Sequence, residues 1–187
     1  RQSAPHMHRS PLVPHTTLPP NPHHPSFSAY LASLYTFDTY FIGHVTFPSD
    51  LLPLLNDIQT SNFEIATDAG TVRSSHGSFA WIVHGCRSAG IQLYGYNCTS
   101  STASKLSSFR TECCGFLGAV LALRALLTNH SLLSPLTPYT ARAHIDNQAL
   151  VQRLSFPSCR SICHCLNPDW DLISSASKVL ETLPLLL

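Results

Sequence analysis

The sequence predicts an α/β fold built on a mixed sheet. Three observations predict it: strand-like segments follow one another closely, a long apolar helix comes next, and a further strand and two helices come after that helix. The strand-like segments are residues 63–68, 77–84 and 92–97, with Gly70, Gly85 and Gly90 in the turns between them. Short Gly-containing connections predict an antiparallel meander.

The helix is expected from a cap at Ser107 or Ser108 to about residue 127. Phe109, Cys113, Phe116, Val120, Leu123 and Leu127 recur at steps of three and four, which makes one buried stripe. A loop with Pro135 and Pro138 leads into a fourth strand, residues 140–145. A crossover helix lets that strand lie parallel beside the first. Residues 147–154 then read as a short helix, and Asp169 or Asp171 as the cap of a last helix over residues 171–182.

Three stretches divide the chain. Residues 1–27 interleave seven prolines with five histidines and are expected to be disordered, since such a run sustains neither helix nor ladder. Residues 28–58 form an aromatic lead-in, helical or extended, expected to pack on the domain beyond it. Residues 59–187 hold that α/β domain.

Composition excludes some functions. The apolar fraction of 44% supports a real core, while charged residues make up only 11% and the net charge is +1. No global basic field would draw in a nucleic acid, so any polyanion site is local. The longest apolar run, residues 116–127, is shorter than a membrane span and contains Arg124. With no apolar signal segment at the N-terminus, an intracellular location is expected, nuclear or cytoplasmic. Seven cysteines, with Cys113 and Cys114 adjacent on the helix, suggest reduced thiols rather than disulfides. A start at Arg1 rather than Met suggests a fragment.

Only ten residues are acidic, and three of them stand at element ends beside apolar runs. Asp68 closes the first strand, Glu112 lies a turn into the helix, and Asp146 closes the fourth strand. With the first and fourth strands adjacent and parallel, both Asp residues fall at the carboxyl ends, where open α/β sheets build their sites. Acids gathered there repel one another unless a cation neutralises them. Hard oxygen ligands with open positions suit Mg²⁺ or Mn²⁺, and two such ions would support in-line phosphodiester displacement by water. The plainer reading is a strand-end Asp, a solvated first-turn Glu and a capping Asp with nothing in common.

The blocks Ala-Thr-Asp-Ala-Gly, Gly-Ser-Phe-Ala-Trp-Ile-Val, Ser-Ser-Phe-Arg-Thr-Glu-Cys-Cys-Gly-Phe-Leu-Gly-Ala-Val and Ile-Asp-Asn-Gln-Ala-Leu-Val occur in that order. This ordered set resembles the type 1 ribonuclease H family, above all the ribonuclease H domains of retrotransposon reverse-transcriptase polyproteins. The resemblance runs over residues 62–183. It implies that Asp68, Glu112 and Asp146 are catalytic metal ligands, that the cofactor is Mg²⁺ (or Mn²⁺), and that the activity is hydrolysis of the RNA strand of RNA–DNA hybrids. The partners it implies are the hybrid and other domains of a retroelement polyprotein, with no membrane. Contacts to 2′-hydroxyls in the minor groove are expected, and Ser74, Ser75, His76, Asn147 and Gln148 are the candidate substrate-binding residues.

One departure stands out. The family's fourth carboxylate and its mobile His follow a fifth strand after the last helix, and the chain ends at Leu185-Leu186-Leu187, where that strand should begin. The fifth strand is therefore expected to be missing. Asp169 and Asp171 read as helix caps, not as substitutes for the missing acid. A catalytically inactive domain with at most weak nucleic-acid binding is the alternative, and a nuclease or transposase acting on DNA is a third reading.

Other signals carry less. Cys159, Cys163, His164 and Cys165 have zinc-ligand types without a trusted ligand spacing. His84 and His144 read as structural, Trp81 as core, and Arg110 either as a phosphate contact or as part of a solvated helix face.

Overall fold

The computed structural model describes residues 26–72, 76–88, 90–100, 106–133, 138–155 and 169–187. It is an α/β protein with a mixed sheet of six strands. In chain order the elements are α1 (Phe27–Ala32), α2 (Thr36–Ile42), β1 (His44–Thr46), α3 (Leu52–Gln59), β2 (Phe63–Val72), β3 (His76–Gly85), β4 (Gln92–Ser100), α4 (Ser108–Asn129), β5 (Tyr139–Ile145), α5 (Gln148–Ser155), α6 (Trp170–Thr182) and β6 (Leu185–Leu186).

The sheet order is β1-β4-β3-β2-β5-β6. β2, β3 and β4 form the expected antiparallel meander, and β5 pairs parallel with β2. Two expectations are corrected. Gly70 is not in a turn: it lies inside β2 opposite Ser78, because the β2–β3 ladder continues through Thr71 and Val72. The strand after the last helix is not missing. Leu185 and Leu186 pair parallel with Tyr139 and Thr140, and the Pro184 carbonyl accepts the Tyr139 N–H at 2.7 Å. The lead-in also supplies an edge strand, since β1 pairs antiparallel with β4.

α4 forms because Ser107 caps it, its hydroxyl accepting the Arg110 N–H, and because apolar residues surround almost its whole length. It alone among the described helices has the length and apolarity to cross a membrane, which reading the 12-residue run at 116–127 did not reveal. Yet 94% of its apolar window is buried by the other elements, as befits a core helix. It lies against Ile65, Phe79, Trp81 and Val83 on one face of the sheet, with α1, α2 and α6 packed around it. The opposite face carries Ala80, Tyr94, Tyr96, Arg142 and His144, all exposed.

The lead-in is anchored into this core. The Trp81 indole Nε1–H donates to the Ile42 carbonyl at 3.0 Å, and buried Arg124 on α4 pairs with buried Asp38 on α2 at 3.5 Å. Gly43, at φ +73°, turns the chain from α2 into β1, and a β-carbon there would strike the Tyr96 carbonyl. At the other end, Asp57 of α3 accepts the Arg87 and Ser88 N–H groups and the Ser88 hydroxyl, pinning the turn after β3.

Candidate functional site

Parallel pairing of β2 with β5 sets the site. The last registered pair is Thr67 opposite Ile145. Asp68 and Asp146 come next, on strands spaced about 4.8 Å apart. The two acids are therefore neighbours at the carboxyl ends of the parallel pair. Asp68 is not at the end of β2 itself, because it also pairs with Ala80 in the β2–β3 ladder. β5 stops because Asn147 starts α5, its Oδ1 accepting the Leu150 N–H at 3.1 Å. That makes Asn147 the cap and leaves Asp146 without the capping role.

Glu112 comes from the helix side. It is buried, at 5% exposure, in the second turn of α4. Its carboxyl is held above the usual glutamate range by burial first, and then by the negative charges of Asp68 and Asp146. The Ala69 N–H donates to the carboxylate and works in the opposite direction. Its Oε2 is buried with no hydrogen-bond partner. The fold thus brings all three acids within electrostatic reach of one another around the end of the β2–β5 pair.

Among the described residues, no three His, Cys, Asp or Glu side chains stand close enough together to hold a metal ion as they are. The donor set still fits a hard divalent cation in its chemistry: three carboxylates of like charge, one with a buried oxygen that nothing else satisfies.

His76 is exposed at the start of β3, opposite Val72. It lies four residues along the strand from Ala80, Asp68's partner, which is about 14 Å. The structure does not bring it to the acids. Gln148 is exposed at the start of α5, beside Asn147 and Asp146. Ser74 and Ser75 lie outside the described residues, as do the prolines and histidines of the first 25 positions and the cysteines and histidine at 159–165.

Asp169 stands at the expected N-cap position of α6 and Asp171 in its first turn, and both also pair with Arg110. Neither caps α6 through its side chain; Arg110 holds Asp171 through both nitrogens, at 3.0 and 2.9 Å, and Asp169 at 3.4 Å. Arg110 is thereby engaged in the core-side junction of α4 with α6 and is neither a solvated face nor a lone phosphate contact. Trp81 is core. His144 Nε2 approaches Glu64 at 3.3 Å, and the buried Nδ1 of His84 has no partner. The described cysteines 86, 98, 113 and 114 are all free, and burial pushes the Cys114 thiol up to about 12.

Sequence reasoning missed a depression of about 470 Å³ on the open sheet face, where Asp68 lies beside Ala66, Ala80, Ile82, Tyr94 and Tyr96. Small residues on the two central strands and tyrosines on the next strand create it. The alternation Tyr94-Gly95-Tyr96 was its visible signal. Thr67 was missed as well; its hydroxyl is buried and unpartnered beside α4.

No family model, curated protein or solved structure matches the chain.

Proposed function

We propose that the chain is a ribonuclease H-like domain of retroelement type, an endonuclease that hydrolyses the RNA strand of RNA–DNA hybrids with Mg²⁺ or Mn²⁺. The observation that carries this reading is the placement of Asp68 and Asp146 side by side just past the last pair of the parallel β2–β5 ladder, with the Glu112 carboxylate, one oxygen of which is partnerless, in electrostatic contact with both. Three carboxylates at a sheet end have no structural use that the surrounding residues reveal, and their charge is a cost until a cation offsets it.

Asp68, Glu112 and Asp146 would hold the ion. When bound, it supplies Lewis-acid activation of a water and of the scissile phosphodiester. Asp68 presents its carboxylate from within β2 and Asp146 from just past the end of β5. Glu112 presents its own from a rigid, fully packed helix, so that little freedom is lost when the group is used. The Ala69 N–H steadies the Glu112 carboxylate. The depression beside Asp68, with Tyr94 and Tyr96 exposed, offers room for a nucleotide next to the acids.

The test is cleavage of an RNA–DNA hybrid by the parent chain and by Asp68→Asn, with a DNA duplex as comparison substrate. Mg²⁺-dependent hybrid cleavage by the parent and its loss in the variant support the reading. Equal rates in the two proteins refute the mechanism, and cleavage of the duplex alone supports a DNA nuclease on the same scaffold.

A second reading is a domain that keeps the fold without catalysis and binds nucleic acid weakly at most. The spacing of the acids as they stand and the net charge of +1 favour it. It predicts no cleavage with either ion.

A further inference from the structure

We propose that the open face of the sheet holds an unpaired nucleotide of a single-stranded nucleic acid, its base stacked on Tyr96 and Tyr94 and its phosphate turned toward Asp68. Pairing register lays this face out in rows. One row runs from His44 on β1 through Tyr96 on β4 and Ala80 on β3 to Asp68 on β2. The next runs from Tyr94 through Ile82 and Ala66 to His144 on β5.

The depression of about 470 Å³ lies across these rows, a volume within the range of small-ligand sites. It exists because Ala80 and Ala66 contribute only a methyl group each, while β4 carries rings. Tyr96 is 54% exposed and Tyr94 39%, so neither ring serves the core. Tyr96 is steadied from the outer side, where the His44 imidazole stands 5.5 Å away on the edge strand. On its inner side the neighbour is Ala80, so the space beside the ring opens toward the acids. The two tyrosines are two residues apart on one strand, about 6.8 Å, and form one aromatic wall.

A nucleobase fits this wall. It offers a flat π-face, and stacking on tyrosine tolerates any base. From Tyr96 to Asp68 is two strand spacings, about 10 Å, with Ala80 midway. A base lying over Ala80 against the ring therefore has its phosphate on the Asp68 side. Cationic groups continue the path on β5: Arg142, 83% exposed, and His144, which stand 3.5 and 3.3 Å from Glu64. So exposed a pair is weak, and the guanidinium keeps N–H groups for a further phosphate. A base inside a duplex has both faces stacked and must be unpaired to reach the wall. The substrate of the proposed nuclease then narrows to a hybrid that continues as a single strand. That narrowing rests on the nuclease reading; the stacking does not.

The experiment is fluorescence anisotropy of 5′-labelled oligouridine and oligothymidine with the full chain, in EDTA at low salt. Tyr96→Ala should weaken binding about tenfold and Tyr94→Ala several-fold. Tyr96→Phe keeps the ring and should bind as the parent does. Tyr35→Ala, which removes an exposed ring from the helix layer, should change nothing. The RNA and the DNA oligomer should bind alike, and a DNA duplex far more weakly. A parent that binds neither oligomer, or binding that survives loss of both rings, overturns the proposal. So does a parent dimer in sedimentation that Tyr96→Ala dissolves, since the face then belongs to a second copy. Mg²⁺ should tighten oligothymidine binding several-fold in the parent and not in Asp68→Asn. Ring-dependent binding that Mg²⁺ leaves unchanged keeps the stacking and removes the metal from Asp68. Hybrid cleavage with ring-independent binding keeps the nuclease and sinks the stacking.

Discussion

Asp68 and Asp146 each stand one residue beyond Thr67 and Ile145, the last registered pair of two neighbouring parallel strands. Pairing register alone makes them neighbours, with no loop involved. A divalent ion that binds there would bind the folded state only. At a hundredfold excess over its dissociation constant, Mg²⁺ should then stabilise the chain by about 2.7 kcal/mol. Asp146→Asn should abolish that rise in calorimetry while leaving the metal-free melting temperature equal or higher, because a repulsive charge has gone. An equal rise in both proteins would place the ion elsewhere.

The pH dependence of stability should carry the signature of Glu112. Its folded carboxyl titrates above the ordinary glutamate range, so the folded state holds the proton more tightly than the unfolded chain does. Stability from this group is full below the unfolded value, falls as pH rises from there to the raised folded value, and stays low above it. Glu112→Gln should remove that falling limb and be the more stable protein at pH 8. Denaturant titrations from pH 4 to pH 8 would show it, and a parent curve with no excess slope over the variant would contradict it.

Two glycines on α4 should respond oppositely to alanine. A β-carbon at Gly115 meets only ordinary contacts, the nearest being the Ala80 carbonyl at 3.4 Å. Gly115→Ala should therefore gain helix propensity, up to about 1 kcal/mol. At Gly118 the same atom would strike the Phe41 carbonyl and press on the Trp81 ring at 2.9 Å. Gly118→Ala should cost about 1–3 kcal/mol, because backbone and a packed indole must both give way. Thermal melts of the two variants decide this.

The Asp38–Arg124 pair should matter more than its 3.5 Å separation suggests. Both side chains are about nine-tenths buried, and burial already lowers the Arg124 pKa, with Asp38 working against that. Asp38→Ala leaves a buried guanidinium uncompensated and should cost about 3–5 kcal/mol. The double variant Asp38→Leu with Arg124→Met should recover most of the loss. Chemical denaturation of the three proteins tests it, and a single variant as stable as the parent would show that the pair carries no weight.

The order of strands and helices was legible because it is written locally. Ser107 before an apolar stripe announced α4 as a helix, and the closely spaced strand segments announced the meander. Strand ends were less legible. Gly70 read as a turn, yet Thr71 and Val72 continue the ladder, because a partner strand that reaches to His76 satisfies their backbone groups. Asp169 does take the N-cap position of α6, but its side chain makes no capping hydrogen bond. Arg110, some 60 positions away in sequence, takes both carboxylates, and no local pattern encodes that distance. The edge strand β1 was hidden in an aromatic stretch, because three residues show no period.

By itself the sequence determined the order of the meander, the long helix, the next strand and the helices after it, because propensity, capping and periodicity act over a few neighbouring residues. Only the tertiary structure decided that Asp68 and Asp146 become adjacent, that Glu112 is buried near Ala69 with an unsatisfied oxygen, and that Thr67 is buried against α4. Those relations arise from pairing register and from helix-on-sheet packing, which join residues far apart in the chain and leave no mark on any one stretch of it.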